Sequence, residues 1–315
     1  MTGKNLSVPT ERKFVLRGGV IPDELVRSLH DSTARDGREA LQYRMQEDGY
    51  VFLRGLLDSD EVLAARREVF SRLFTVDEIR APAIDGIATG RSRRRELTDN
   101  LPEFWKSVSE GPAVRRVSHS TVVQETMRTL FGELARPQDY VWVRPRPVGW
   151  STGLHYDHPF FARGSRRVHT VWIPLGNIPV SNGPLVLVEQ SHQFSDIIDS
   201  IHDNDQDSND CPAMAQQAAF EGDWSGDTVA FLLQRRTRFL TADFQTGDVL
   251  VFGMDTLHGS LDNRSPNHLT RLSVDVRYQP FSHSVDDRYF GPNPTGASGQ
   301  GYGDMNSCKP LTEIA

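Results

Sequence analysis

The sequence predicts a mainly β fold, a sandwich or barrel, with helices packed around it. Three observations point there. From Asp139 onward, short runs rich in β-branched and aromatic residues (140–143, 168–173, 185–188, 249–252 and 272–278) alternate with Gly- and Pro-containing turns, the signature of several short strands in one sheet-rich domain. Before that point the apolar residues fall at helical spacing, as in Val62, Val69, Phe70 and Leu73. The 315 residues are 37% apolar and 24% charged, an ordinary composition for one large soluble domain.

The elements follow in chain order. Phe14-Val15-Leu16-Arg17-Gly18 is echoed by Val51-Phe52-Leu53-Arg54-Gly55, and Pro22-Asp23-Glu24-Leu25-Val26 by Ser59-Asp60-Glu61-Val62-Leu63. Each copy reads as a strand, a glycine turn and a helix start. Pro22 suits a first helical position, and Asp58 with Glu61 forms a capping box. Residues 77–100 are irregular. A second helix is expected over 117–131, with Val123, Met127, Leu130 and Phe131 inward. The acidic run Asp196, Asp199, Asp203, Asp205, Asp207 and Asp210 opens an excursion over 196–245, expected to lie on the surface because long loops in compact domains are functional or disordered. The reading is therefore one domain over 1–315: a mostly helical support (1–135), a β core (139–280) interrupted at 196–245, and a coil tail (290–315).

Composition narrows the function. No run approaches the ~20 apolar residues of a membrane helix, and residues 1–12 lack the apolar centre of a secretory signal. Two distant cysteines, Cys211 and Cys308, exclude a disulfide scaffold and a cysteine-rich zinc site, so a reducing cytoplasm is expected. A net charge of −7 argues against a nucleic-acid partner, the local exception being Arg91, Arg93, Arg94 and Arg95.

The chemistry concentrates in Gly153-Leu154-His155-Tyr156-Asp157-His158-Pro159. On a strand His155 and Asp157 share a face, so an imidazole and a carboxylate can reach one ion. His258, after the apolar strand 249–252, is the candidate third ligand, and His158 could replace His155 in a different geometry. Two histidines and a carboxylate with open positions opposite form the facial triad of non-heme iron oxygenases. Thirteen residues after His258, Arg271 opens a strand that directs Arg271, Ser273, Asp275 and Arg277 to one face. Buried charge needs partners. A carboxylate cosubstrate would give Arg271 a bidentate one, and Asp275 and Arg277 can pair with each other.

Together with Gly49-Tyr50-Val51-Phe52, Trp172-Ile173-Pro174-Leu175, Asn182-Gly183-Pro184-Leu185, Ser191-His192 and Gly247-Asp248, these pieces make residues from about Asp48 to Pro280 resemble the phytanoyl-CoA dioxygenase family of Fe(II)/2-oxoglutarate-dependent oxygenases. Glu189-Gln190 departs from the family's common Pro-Gly. The resemblance implies a double-stranded β-helix, that is, a jelly-roll, cupin-like barrel with N-terminal helices. It implies Fe(II) on His155, Asp157 and His258, and 2-oxoglutarate on Arg271 with Ser260 as hydroxyl donor and Trp172 lining the pocket. Dioxygen is the co-reactant, with CO2 and succinate as products. Related halogenases carry a small residue where Asp157 stands, so hydroxylation of a C–H bond is expected. The rival readings are a metal-binding cupin-like barrel without 2-oxoglutarate and a demethylase acting on a macromolecule. The expected substrate is a small molecule, anionic if Arg163 and the Arg93, Arg94 and Arg95 cluster border the barrel mouth. Its identity and the oligomeric state are not legible.

Overall fold

The computed structural model describes residues 14–207, 227–297 and 299–302, with backbone only for 203–207. Among the described residues six helices lie between 38 and 131: α1 (Arg38–Asp48), α2 (Ser59–Thr75), α3 (Arg94–Leu97), α4 (Leu101–Ser109), α5 (Pro112–Ser118) and α6 (Thr121–Phe131). Asp58 caps α2 by accepting from the backbone N–H groups of Asp60 and Glu61. The helix expected over 117–131 is instead two, broken where Ser120 caps α6 and accepts from the Val123 N–H. The two echo copies also diverge. The first forms a hairpin of β1 (Phe14–Leu16) and β2 (Gly19–Ile21), and Pro22 leads only a single 3-10 turn. Arg17 and Gly18 both take positive φ there, and their N–H groups donate to the Asp262 carboxylate at 2.7 and 2.9 Å.

Two sheets face each other. One has five strands: β3 (Val26–Ser28), β11 (Phe239–Thr241), β10 (Leu185–Val188), β13 (His258–Ser260) and β8 (Thr152–His155), in that order. The other has seven. Six run in the order β4 (Asp31–Ser32), β5 (Tyr50–Leu53), β12 (Val249–Gly253), β9 (His169–Pro174), β14 (Arg271–Pro280), β6 (Ala135–Pro137), and β7 (Trp142–Arg146) also pairs with β14. Period-two alternation divides the apolar residues into three cores. Val171, Ile173, Val249, Val251, Leu272, Val274, Val276 and Tyr278 pack outward on α1, α2 and α4 to α6. Val186, Val188, Leu154 and Phe239 pack outward from the smaller sheet on α8 (Ser195–Asp207), α9 (Thr228–Arg235) and the β1–β2 hairpin. Tyr50, Phe52, Trp172, Leu250 and Phe252 meet Leu185, Leu187 and Leu240 between the sheets.

Two boundaries need correction. The 196–245 excursion contains β11, which pairs antiparallel with β10 and parallel with β3, so the segment returns to the core well before residue 245. The described part of the 290–315 tail packs rather than trailing: Tyr302 is buried, stacks on Tyr140 at 4.3 Å and accepts from the Val141 N–H. Cys211, Asp210 and Cys308 lie outside the described residues. No helix among the described residues is long and apolar enough to cross a membrane.

Candidate active site

β8 and β13 are antiparallel neighbours, and their register sets His155 directly opposite His258. The rings lie 4.2 Å apart, centroid to centroid. Gly259 permits this approach, since a Cβ there would meet the Thr152 carbonyl oxygen at 2.7 Å. Asp157 joins the histidines by a different route from the one the sequence suggests. β8 ends at His155, and Asp157 has helical φ and ψ at the head of the short helix α7 (His158–Phe161). Its N–H and that of His158 both donate to the Met254 carbonyl at 3.1 Å. A turn pinned to the β12–β13 connection, not strand alternation, therefore brings the carboxylate round. Asp157 Oδ1 stands 3.9 Å from Nε2 of His155 and 3.9 Å from Nε2 of His258.

The supporting hydrogen bonds assign the donor atoms. His155 Nδ1 lies 3.0 Å from the Gly153 carbonyl and His258 Nδ1 lies 2.9 Å from that of Thr256. A carbonyl only accepts, so each Nδ1 carries the proton and each Nε2 lone pair faces the shared space. Burial, reinforced by His155, pushes the His258 pKa down to about 3, and burial lowers that of His155. Both rings are thus neutral ligands at ordinary pH. Asp157 is the anionic member. Burial opposes its charge, but Arg277, His258 and His155 hold its carboxyl well below the usual range. Thr170 Oγ1 donates to its Oδ2 at 2.5 Å, and Arg277 Nη2 donates to both oxygens at 3.0–3.2 Å. Two neutral imidazoles and one carboxylate on a common face fit Fe(II).

The histidines open onto a cavity between the sheets, lined also by Arg144, Thr152, Thr170, Trp172, Leu185, Phe252, Ser260, Arg271, Asp275 and Arg277. Inward charge is mostly paired. Arg277 bonds Asp275 as well as Asp157, and Arg144 reaches Asp275 through two hydrogen bonds at 2.7 and 3.1 Å. Arg271 differs in forming no ion pair with a carboxylate among the described residues. It is 4% exposed and donates to the Ser273 hydroxyl at 2.8 Å, and its buried Nε, like that of Arg277, has no hydrogen-bond partner among the described residues. Burial pushes its pKa down to about 9, with Arg146 and Arg144 adding repulsion and Asp275 opposing them. A buried guanidinium with an open edge and cationic neighbours fits an incoming carboxylate, as 2-oxoglutarate would supply.

Of the residues singled out in the sequence, the structure brings His155, His258, Ser260, Trp172 and Arg271 to this one cavity, with Asp157 beside the two histidines. His158 turns away toward Asp255. Ser260 lines the cavity, but its Oγ accepts from the Thr152 N–H, and the hydroxyl bonded to Arg271 is that of Ser273. Trp172 packs edge-on against Phe244 at 4.8 Å while facing the cavity. The arginine clusters are not brought in. Arg94 is buried beneath Trp105 in an ion pair with Glu78, so it is a structural residue of the helical layer. Arg93 pairs with Glu96 and Arg91 with Asp77. Arg95 and Arg163 are exposed, and none of these residues lines the cavity. Thr170, Ser273 and Arg144 were missed as site residues, although alternation from Trp172 and Arg271 already turns Thr170 and Ser273 inward.

The family model for Phytanoyl-CoA dioxygenase (PhyH) matches residues 45–271. A 1-deoxypentalenic acid 11-beta-hydroxylase from Streptomyces arenae is 25% identical over 285 residues, covering 86% of this chain and 91% of that protein. Among solved structures, the epimerase SnoN in complex with Fe3+, alpha ketoglutarate and nogalamycin RO superposes with a TM-score of 0.53 at 20% identity, over 79% of this chain and 86% of that one. EctD from S. alaskensis with 2-oxoglutarate and 5-hydroxyectoine gives 0.51 at 16% identity, over 84% of each chain. These likenesses show the fold, the double-stranded β-helix.

Proposed function

Because the chain belongs to the phytanoyl-CoA dioxygenase family, and is an Fe(II)- and 2-oxoglutarate-dependent dioxygenase hydroxylating a small molecule, we propose how its residues divide the work. His155, Asp157 and His258 hold the iron. Arg271, oriented by Ser273, takes a carboxylate of 2-oxoglutarate. The substrate is a small organic acid, and the enzyme works in the cytoplasm. The observation that carries this reading is the open edge of buried Arg271 in the cavity that the two neutral histidines share.

When bound, the iron and 2-oxoglutarate supply the activation of dioxygen and the oxidising power for C–H hydroxylation, with CO2 and succinate as co-products. This chain's residues prepare the place. The Gly153 and Thr256 carbonyls hold each imidazole in the Nδ1–H tautomer. Thr170 occupies Asp157 Oδ2 and Arg277 straddles both carboxylate oxygens, holding the group so that Oδ1 is turned to the histidines. Trp172, Leu185 and Phe252 form an apolar wall that keeps water from the reacting centre. Support for an acid substrate comes from the relative named for hydroxylating 1-deoxypentalenic acid. Arg93, Arg94, Arg95 and Arg163 are given no part in holding it, because none lines the cavity.

The test is anaerobic titration of the Fe(II)-loaded protein with 2-oxoglutarate, followed by succinate measurement on admitting air. Wild type is expected to develop the visible charge-transfer band of a chelated 2-oxo acid and to form succinate. His155→Ala and His258→Ala are expected to lose iron, band and succinate together. Iron retained by both alanine variants would refute the ligand assignment.

A further inference from the structure

The chain segments that carry the iron ligands build a second constellation that the reaction does not use. His158 follows Asp157, Asp255 stands three residues before His258, and α8 brings His202 against both. His158 Nδ1 lies 2.9 Å from Asp255 Oδ1, and His202 Nε2 lies 3.3 Å from the same oxygen. The two imidazoles stack at 4.1 Å with planes 27° apart, and the three donor atoms all lie within 4.8 Å of one another. None of the three residues lines the cavity between the sheets.

Each carboxylate oxygen has about two lone-pair sites, so both rings can face Asp255 Oδ1, and one nitrogen of each ring and this oxygen face one another closely enough to share one ion. We propose that His158, His202 and Asp255 form a second divalent-metal site, suited to zinc, that fastens α8 to the turn bearing Asp157 and to the β12–β13 connection that leads into His258. Two imidazole nitrogens and one carboxylate oxygen are a zinc donor set. With bonds of about 2.0–2.1 Å, neighbouring donors in a tetrahedral zinc site stand about 3.3–3.4 Å apart. The His202–Asp255 edge already has that length, and the His158–Asp255 edge has to open by a few tenths of an ångström. His158 is fully buried and anchors the site. The side chains of Asp255 and His202 are 33% and 27% exposed, so an ion can enter and a water can complete the coordination. Sharing no residue with the iron site, this assignment stands or falls separately from the proposed reaction.

The test is zinc stoichiometry. Protein stripped with a chelator is loaded with Zn(II), passed through a desalting column to remove loosely held ions, and assayed for bound metal. Wild type is expected to retain two equivalents. His258→Ala, which disables the interior site, retains one, and so do His202→Ala and Asp255→Asn, which disable the second. The double variant His202→Ala/His258→Ala retains none. His202→Gln, which keeps the size and polarity of a partly exposed side chain, guards against misfolding and is also expected to retain one. In the His258→Ala background, Zn(II) slows amide exchange over residues 195–202, and it does not do so once His202→Gln is added. One equivalent in wild type that vanishes in His258→Ala, or two equivalents persisting in both His202 variants, would overturn the site and leave the cluster a hydrogen-bonded clasp.

Discussion

Arg271 and Arg277 lie six residues apart on the inward face of β14 and are 4% and 2% exposed, yet their partners are opposite in kind. Arg277 touches two carboxylates, Asp157 and Asp275. Arg271 touches one hydroxyl, that of Ser273. Removing one partner of a buried ion pair costs about 3–5 kcal/mol because the other charge is stranded, so Arg277→Leu is expected to destabilise the ligand-free protein by that amount. Arg271→Leu removes a buried charge that is ion-paired with no carboxylate among the described residues, and is expected to leave ligand-free stability unchanged or higher. With 2-oxoglutarate the order reverses. Truncating the protein's half of a buried, hydrogen-bonded charge pair costs about 2–5 kcal/mol of binding, which weakens affinity from about 30-fold to a few thousand-fold. At a concentration 100 times its Kd, the ligand adds about 2.7 kcal/mol to wild-type stability, and the same concentration adds about 0.9 kcal/mol to a variant binding 30-fold more weakly. Urea unfolding of the anaerobic Fe(II) protein, with and without 2-oxoglutarate, measures both quantities. An Arg271→Leu protein as unstable as Arg277→Leu, or one that 2-oxoglutarate stabilises fully, would refute the division of roles.

Thr170→Val keeps the shape of the side chain and deletes the hydrogen bond to Asp157 Oδ2. Loss of such a supporting partner is expected to weaken Fe(II) binding about 10-fold or more, with 2-oxoglutarate affinity of the loaded protein little changed; equal iron affinity in a metal-competition titration would remove Thr170 from the site. Stability is also expected to depend on pH away from the iron. Burial pushes His119 and His169 down to about 4, aided at His119 by Arg115 and opposed at His169 by the Val168 carbonyl. Folded-state values below the unfolded ~6.5 mean that the unfolded chain takes up protons first. Stability is therefore complete above about pH 6.5 and lost as pH falls toward 4, by up to about 2 kcal/mol for the pair between pH 6.5 and 5.5. His169→Phe, which preserves stacking on Phe131, is expected to remove its half of the slope in urea unfolding across that range, and an unchanged slope would assign the pH dependence elsewhere.

The β core was legible because most of its strands are buried on alternating sides by different neighbours. In β14, Leu272, Val274, Val276 and Tyr278 pack on helices while Arg271, Ser273, Asp275 and Arg277 face inward, and that alternation is written in the sequence. β11 was not legible. Three residues, Phe239-Leu240-Thr241, are held by strands more than 50 residues distant or at the far N-terminal side, and a run so short carries no periodicity of its own. The first echo copy failed for a local reason. Arg17 and Gly18 close a two-residue turn, and the chain is committed to pairing 14–16 with 19–21 before Pro22 can start a helix.

At the site, residue types were easier to read than the geometry that joins them. His155 and Asp157 were expected to share a face through strand alternation, but no strand extends to Asp157. Both N–H groups that would have continued the strand, those of Asp157 and His158, are taken by the Met254 carbonyl, and this bends the chain so that consecutive side chains part. Asp157 goes inward to Arg277 and Thr170, and His158 goes to Asp255. A spacing of two is compatible with a strand or with this turn, and only the partner at residue 254 decides between them. The arginine clusters illustrate the converse limit. Four arginines between residues 91 and 95 look like a cationic patch, but Glu78, Asp77 and Glu96 neutralise three of them, and Glu78 and Asp77 belong to the preceding turn. The arginines that face the cavity occupy alternate positions of strands whose other face is apolar, where burial makes each of them need a partner. A buried arginine at such a position, with no acid paired to it among the described residues, is for that reason a stronger indication of an anion site than an exposed run of four.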